Sequence, residues 1–266
     1  MTHQGLVRKE NQDHFLYCTL HKMMRVGGSS LPNRELLELP SQRLASVAAV
    51  ADGVGGRSGG EAASRAAIEA LAGYVTHATV TYYTANARNQ DDFLEQLREA
   101  ARLGHQAVQA RATREDDDRG AATTLTVLVA VWPALYVLQV GDSRCYRYRA
   151  GRVDRLTRDQ TMAQDLVDSG ILKPDDVPRS RFANVLSSSL GGRSSSPVVS
   201  MTDMQVGDVY LLCTDGLTKH VDDARIAERL GGLSSSEQAC RALIDDALAD
   251  GGTDNIAAVV LRAIVR

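Results

Sequence analysis

The stretch that decides the fold is residues 47–60, VAAVADGVGGRSGG. Its first half is a short, continuous apolar run with strand character, and Asp52 stands where that run ends. A glycine-rich turn follows, and then an alanine-rich pattern that predicts a helix with one narrow apolar stripe. The stretch therefore delivers a carboxylate to the end of a buried strand, beside a turn whose backbone can approach a ligand closely.

Two later stretches repeat this arrangement. Residues 209–216, VYLLCTDG, lead from a predicted strand into Asp215, and residues 251–255, GGTDN, place Asp254 just before the last apolar run. A single Asp-Gly pair is usually no more than a turn. Three acid-bearing turns at strand ends favour a divalent-metal site at one rim of a sheet, because Mg²⁺ and Mn²⁺ take carboxylate and carbonyl oxygens as ligands.

The same glycines allow a nucleotide-binding interpretation, which is the weaker one. A P-loop requires GxxxxGK[ST], and no lysine occurs between Ala45 and Gly60. A dinucleotide fingerprint requires GxGxxG, and the glycines of this stretch stand in another register. A nucleotide- or sugar-phosphate-binding protein and a plain strand-to-helix turn capped by Asp52 stay open as alternatives.

Composition and charge narrow the class of protein. The 266 residues are 44% apolar and 24% charged, which is ordinary for a globular protein with a large core. The formal net charge of −3 predicts no nucleic-acid partner and no polybasic membrane patch. No apolar run approaches a membrane span, the N-terminus lacks the apolar core of a signal peptide, and the 4 cysteines have no CxxC spacing. We therefore expect a cytoplasmic protein.

The order of predicted elements favours antiparallel sheets covered by helices over a doubly wound parallel sheet. Strand patterns cover residues 46–51, 123–131, 134–140, 145–149, 209–213 and 256–265. Helical patterns cover residues 62–74, 93–108, 161–169, 224–230 and 236–248. Residues 21–43 are predicted to form a long loop with one helical turn at 35–39.

Seven motifs, taken in order, resemble those of one known family. They are GLVRKENQD (5–13), VADGVGG (50–56), GAATT (120–124), VGDSR (140–144), LTRDQT (156–161) with a later LG (190–191), LCTDG (212–216) and TDN (253–255). Together they resemble the metal-dependent serine/threonine protein phosphatases of the PPM family, also called type 2C, in their compact bacterial form. The resemblance implies an α+β fold, a four-layer α/β/β/α sandwich with two central antiparallel sheets flanked by helices. It also implies a single domain over residues 1–266 with a flap subdomain at about 159–196.

The resemblance further implies a site with two divalent ions, Mn²⁺ or Mg²⁺. Asp52 would bridge the two ions, the Gly53 carbonyl would bind the first, and Asp215 and Asp254 would complete the second. Arg8 would bind the substrate phosphate, since a guanidinium group matches two phosphate oxygens at once. Arg8 and Asp52 are therefore the predicted catalytic residues.

Four other residues receive weaker assignments from the same resemblance. Asp118 aligns with the acid that can hold a third metal together with Asp215, and a solvated acidic loop is the alternative for it. Three side chains would lie directly behind the ligands and support them: Gln12, Asp13 and Asn255. Gln12 stands where the acid-rich form of the motif has glutamate, so the second metal would be bound with less negative charge. Val54 replaces a histidine suspected of protonating the leaving group in animal enzymes.

The implied function is hydrolysis of phosphoserine and phosphothreonine monoesters by attack of a hydroxide that bridges the two metals, in bacterial signalling. Partners would be phosphorylated proteins, including a Ser/Thr kinase or its substrates, and the chain would be a monomer. A cysteine phosphatase is excluded, because no cysteine has arginine six residues later. The main rival is a catalytically weak or silent phosphatase-like regulatory domain that binds a partner, which Gln12 favours and the intact acids oppose.

Overall fold

The structure, a computed structural model, describes residues 1–22, 42–55, 59–77, 90–112 and 120–264. The strands are β1 (Thr2–His3), β2 (Asp13–Lys22), β3 (Gln42–Val54), β4 (Ala122–Thr123), β5 (Leu125–Val131), β6 (Ala134–Val140), β7 (Arg144–Arg149), β8 (Arg152–Arg155), β9 (Val198–Asp203), β10 (Val209–Cys213) and β11 (Ile256–Arg262). The helices are α1 (Gly59–His77), α2 (Gln90–Ala112), α3 (Met162–Asp168), α4 (Asp215–Thr218), α5 (Asp223–Gly231) and α6 (Ser236–Ala249), with a 3₁₀ helix at Pro174–Arg179.

Two antiparallel sheets form the centre of the molecule. One has the strand order β1-β11-β10-β7-β8, and the other has the order β2-β3-β5-β6-β9 with β4 paired to the end of β3. One apolar cluster lies between the two sheets, a second joins the β3 sheet to α1 and α2, and a third joins the β10 sheet to α4, α5 and α6. The predicted four-layer α/β/β/α sandwich is confirmed.

The apolar run in β3 is explained by packing on both faces of the strand. Val47 and Ala49 pack in the cluster that includes α1, whereas Ala48 and Val50 pack in the cluster between the sheets. Successive side chains of a strand point to opposite faces, so a strand covered on both faces needs apolar residues at every position. Asp52 continues the register of Ala48 and Val50 and emerges at the rim of the space between the sheets.

The glycines after Asp52 serve close packing between the strand end and the next helix. A Cβ atom on Gly53 would lie 2.1 Å from the Gly60 carbonyl oxygen, so only glycine fits there. Buried alanines on α1, including Ala63 and Ala67, let the helix continue close to the sheet. None of the helices in the described ranges is long and apolar enough to cross a membrane.

Several predicted elements were shorter than the observed ones, and some strands were not predicted. The long helices and the β5–β6 hairpin are confirmed, but β3 begins at Gln42 rather than Ser46. Strands β1, β2, β8 and β9 were not predicted, because short or half-exposed strands have weak patterns. The turn expected at Asp215 is the first residue of helix α4. The predicted helical turn at residues 35–39 lies outside the described residues.

Candidate active site

Two of the three acid-bearing turns meet because their strands are neighbours. Strands β10 and β11 are antiparallel, so the end of β10 lies beside the start of β11. Asp215 follows the first strand and Asp254 precedes the second. The two segments approach so closely that a Cβ atom on Gly216 would lie 1.9 Å from the Asn255 carbonyl oxygen. This contact explains why glycine follows Asp215.

The third turn joins them from the opposite sheet. Asp13 pairs with Asp52 in the β2–β3 register. The hydroxyl of Thr214, just after β10, donates to Asp13 Oδ2 at 2.7 Å and accepts from the Ala257 N–H at 2.8 Å. Thr124 accepts from the Asp52 N–H through its hydroxyl and donates its own N–H to the Asp52 carbonyl. These bonds fasten the ends of both sheets together and fix the backbone of Asp52.

The result is one cleft of about 550 Å³ at this rim. Its lining contains nearly all of the predicted site residues, namely Arg8, Gln12, Asp52, Gly53, Asp215, Asp254 and Asn255. Asp13 is buried behind the cleft, against Thr214. The structure therefore brings together all of the predicted site residues that it describes. Asp118 lies outside the described residues, so its assignment to a third metal stays a prediction.

Asn255 supports the opening segment of the chain through its side chain. Its side-chain oxygen accepts from the Gln12 N–H at 2.9 Å, and its side-chain amide donates to the carbonyls of Gln4 and Glu10, each at 2.8 Å. The segment that contains Arg8 is thereby tied to the start of β11. Leu6 adds a backbone bond to Gly252 at 2.7 Å.

Two cations contact the carboxylates in the cleft. Arg8 donates to Asp254 through Nε at 2.7 Å and through Nη2 at 2.9 Å. Lys219 Nζ lies 2.7 Å from Asp215 Oδ2 and 2.7 Å from Asp254 Oδ2. Burial alone would raise the pKa of Asp254, but the hydrogen bonds from Arg8 and Lys219 outweigh it and hold that pKa below its ordinary value.

Three acids at the cleft that form no ion pair with Arg8 or Lys219, namely Asp13, Asp52 and Asp142, have raised pKa values. Burial raises the pKa of Asp13 to about 8, and the charge of Asp215 adds to the effect. Desolvation likewise raises the pKa of Asp142 to about 7. Asp52 is partly exposed in the cleft, yet desolvation and the charge of Asp13 raise its pKa well above the ordinary value. The cleft therefore brings together acids whose ionised forms the surrounding protein stabilises poorly.

Such a group of acids suits a divalent cation, whose charge would favour their ionised forms. Asp13 Oδ1 and Asp215 Oδ1 are buried and have no hydrogen-bond partner among the described residues. The donors are carboxylate and carbonyl oxygens, the set that Mg²⁺ and Mn²⁺ prefer. In the ranges that the structure describes, however, no three His, Cys, Asp or Glu side chains already surround one point as ligands. The contacts of Arg8 and Lys219 give a reason, since they hold Asp254 and Asp215 in ion pairs.

Residues 159–196, the segment predicted to form a flap, are attached to the rim of the cleft at both ends. Gln160 accepts from the Gly141 N–H at 2.7 Å and donates to the Ser196 carbonyl at 2.9 Å. Arg144 on β7 forms a bidentate ion pair with Asp159. Asn184 and Leu186 of the flap line the cleft.

Two residues of the cleft were missed as site residues. Asp142 belongs to a quoted motif but received no role, although it follows a buried strand as Asp52 does. Lys219 received no role either. Its position four residues after Asp215 is the signal that would have found it, because residues i and i+4 share one face of a helix.

The raised pKa values predict how stability depends on pH when metal is removed by a chelator. In the folded chain Asp13 and Asp142 keep their protons up to about pH 8 and about pH 7, whereas unfolding returns them to 3.8. The folded state then binds more protons, so the free energy of unfolding should fall as pH rises from about 5 to about 8. Denaturant unfolding across this range measures the slope.

Asp13→Asn is the matched variant for this measurement, since the amide oxygen can still accept from Thr214. The variant should have a shallower slope than the unaltered chain, and Mn²⁺ should flatten both slopes because it favours ionised carboxylates. Equal slopes for the two proteins in chelator would show that Asp13 does not hold a proton in the folded state.

The sequence is similar to those of known protein phosphatases. A profile of the family described as "Protein phosphatase 2C" matches residues 32–250. The chain is 36% identical over 216 residues to the serine/threonine protein phosphatase PstP of Mycobacterium tuberculosis (strain CDC 1551 / Oshkosh), an alignment that covers 81% of this chain and 40% of PstP. The chain thus spans well under half the length of that relative.

Solved structures agree with the sequence comparison. The crystal structure of the Mycobacterium tuberculosis phosphatase PstP/Ppp matches with a TM-score of 0.78 and 30% identity, covering 100% of this chain and 97% of that chain. A crystal structure of the PstP catalytic domain in complex with 2 manganese ions gives a TM-score of 0.76 and 30% identity, covering 100% and 96%. With the family profile spanning most of the sequence and the same sandwich in the fold, the chain belongs to the protein phosphatase 2C family.

Proposed function

We propose that this chain is a metal-dependent serine/threonine protein phosphatase that hydrolyses phosphoserine and phosphothreonine monoesters. The observation that carries the proposal is the convergence of Asp52, Asp215 and Asp254 with Arg8 in one cleft. The buried, unpartnered carboxylate oxygens of that cleft and the 2 manganese ions in the related PstP catalytic domain support it. Phosphorylated proteins are the substrates that the family membership indicates.

In the proposed mechanism, the chain supplies the ligands, the phosphate site and the shape of the cleft. Asp52 and the Gly53 carbonyl would hold one Mn²⁺ or Mg²⁺ ion, and Asp52, Asp215 and Asp254 would hold a second. The chemistry of such a pair, when bound, is activation of water and neutralisation of phosphoryl oxygens. Asp13, behind Asp52, would support the ligands through its bond to Thr214, as Gln12 and Asn255 would through theirs.

Arg8 would bind and orient the substrate phosphate. Its side chain is 56% exposed and held at the cleft by Asp254, and a guanidinium group keeps further N–H donors for phosphate oxygens. Val54 is exposed at the cleft and has no proton to donate. The leaving oxygen must therefore take its proton from another group of the cleft.

The finer assignments extend this proposal. The flap, which lines the cleft with Asn184 and Leu186, would contact residues that flank the phosphorylated side chain. The substrates would include a Ser/Thr kinase or its targets in the cytoplasm, and the chain would act as a monomer. A catalytically silent domain that binds phosphoproteins is the alternative, for which the amide of Gln12 in place of a carboxylate is the specific observation.

Hydrolysis assays separate these functions. An aryl phosphate and a phosphothreonine peptide are incubated with the chain in Mn²⁺ and in chelator, and phosphate release is measured. The proposal predicts release from both compounds with Mn²⁺ and none in chelator. Binding of the peptide without turnover at any metal concentration would favour the silent domain, and turnover that survives chelation would contradict a metal-dependent site.

A further inference from the structure

Lys219 places its ammonium group between two of the carboxylates proposed to hold metal. Nζ lies 2.7 Å from Asp215 Oδ2 and 2.7 Å from Asp254 Oδ2, and the side chain is 30% exposed. The fold imposes this position. Helix α4 begins at Asp215, so the residue four positions later returns to the same face, and Asp254 reaches it from the start of β11.

The oxygens of these two carboxylates are mostly engaged by the chain itself. Asp254 Oδ1 accepts from Arg8 and from the Asn255 N–H, and Asp254 Oδ2 accepts from Arg8 and Lys219. Asp215 Oδ2 faces Lys219. Within the described residues, Asp215 Oδ1 alone of these four oxygens has no partner. A metal ion that binds both acids could use Asp215 Oδ1 directly, but at Asp254 it meets oxygens that Arg8 and Lys219 already contact.

A metal ion and the Lys219 ammonium group would crowd the same carboxylate oxygens. A divalent ion such as Mg²⁺ sits about 2.0–2.1 Å from a carboxylate oxygen, and Lys219 Nζ already lies 2.7 Å from Asp215 Oδ2 and from Asp254 Oδ2. Two positive charges so close to each other also repel strongly in a partly desolvated cleft.

Asp52 has a different environment. Among the residues of the described ranges, no cation forms an ion pair with its carboxylate, whereas Asp215 and Asp254 both contact Lys219. A metal ion held by Asp52 and the Gly53 carbonyl displaces no ammonium group. An ion entering the position at Asp215 and Asp254 therefore has to displace the Lys219 ammonium group, whereas an ion entering the position at Asp52 and Gly53 does not.

We propose that Lys219 is an internal competitor of the metal ion held by Asp215 and Asp254. The inference rests on the proposed metal-dependent function. The ammonium group neutralises the two carboxylates and has to leave them before the second ion binds. The second site is therefore weaker than the first, and its occupancy depends on the supply of divalent metal. Lys219 thereby sets the metal concentration at which both ions are in place.

Calorimetric titration of Mn²⁺ into the chelator-treated full chain tests the inference directly. Lys219→Met keeps the apolar stem and removes the charge, and Lys219→Gln also keeps a polar end that can contact the carboxylates. In both variants the weaker Mn²⁺ binding step should tighten by about tenfold or more, while the tighter step changes by less than about threefold. Arg241→Met removes one positive charge from the exposed face of α6 and should alter neither step.

The possible results of the titration distinguish failure of the Lys219 inference from failure of the proposed function. A purely structural role for Lys219 predicts lower stability of the variants with unchanged Mn²⁺ affinity, and that result in either folded variant would overturn the inference. Weaker Mn²⁺ binding in the variants would overturn it too. If the unaltered chain binds 2 Mn²⁺ ions and hydrolyses phosphothreonine while the variants titrate identically, this inference fails and the proposed function stands. If the unaltered chain binds no Mn²⁺, the proposed function fails first.

Discussion

Replacing Asp52 by asparagine should lower the rate of phosphothreonine hydrolysis by about a thousandfold or more, because the bridging position contributes to both metal ions. The same variant should be more stable in chelator. The Asp52 carboxyl group is desolvated among other acids, so its pKa is raised and its ionised form is disfavoured in the folded chain. A neutral amide avoids this cost and should raise the free energy of unfolding by about 1 kcal/mol or more.

Lower activity together with higher stability in Asp52→Asn would distinguish a functional role of Asp52 from a structural one. Steady-state hydrolysis in Mn²⁺ gives the first quantity, and denaturant unfolding in chelator gives the second. Asp245→Asn makes the same change at an exposed position of α6 and should affect neither. Wild-type turnover by Asp52→Asn would exclude a bridging role, and a loss of stability in chelator would show that the Asp52 charge supports the fold.

Replacing Arg8 by methionine should raise KM for a phosphothreonine peptide by about tenfold to a hundredfold, which corresponds to losing one charge-assisted phosphate contact. We expect a smaller change in kcat at saturating Mn²⁺, because Arg8 binds the phosphate without holding metal. Arg8→Lys should restore only part of the loss, since an ammonium group cannot match two phosphate oxygens in one plane. Steady-state kinetics on the peptide measures both constants.

Lys9 supplies the matched control for Arg8, because it lines the same cleft and carries the same charge. Lys9→Met should change KM by less than about threefold if the fixed position of Arg8, rather than net charge, captures phosphate. Inhibition by inorganic phosphate should weaken in parallel with KM in Arg8→Met. An equal effect of the two substitutions would mean that general attraction to the cleft is sufficient and that Arg8 has no specific contact.

Residues 47–60 show how much of the fold the sequence could predict. The unbroken apolar run predicts a strand covered on both faces, and the structure shows β3 with helices on one side and the second sheet on the other. The glycines suggested either a phosphate loop or clearance for a ligand. The contact between Gly53 and Gly60 shows that they let the strand end pack against α1, which leaves Asp52 at the rim.

The acids of the site were predictable because each stands at the end of an apolar run that forms a strand. Lys219 was not predictable, because its position depends on the short helix α4. Asp215 and Asp254 converge because β10 and β11 are antiparallel neighbours, a pairing that the two apolar runs alone do not specify. Lys219 contacts both acids because the four residues Asp215–Thr218 form a single helical turn just before it. So short a helix has no apolar period that a sequence could reveal. The strands that flank the flap were missed for the same reason.

The most direct test of the account is the number of Mn²⁺ ions bound by the full chain and by Asp52→Asn, counted by metal analysis after equilibrium dialysis. If Asp52 bridges the two positions, the unaltered chain binds two ions per molecule and the variant loses occupancy at both. A variant that still binds two ions with unchanged affinity would contradict the dinuclear site on which the proposed phosphatase activity depends.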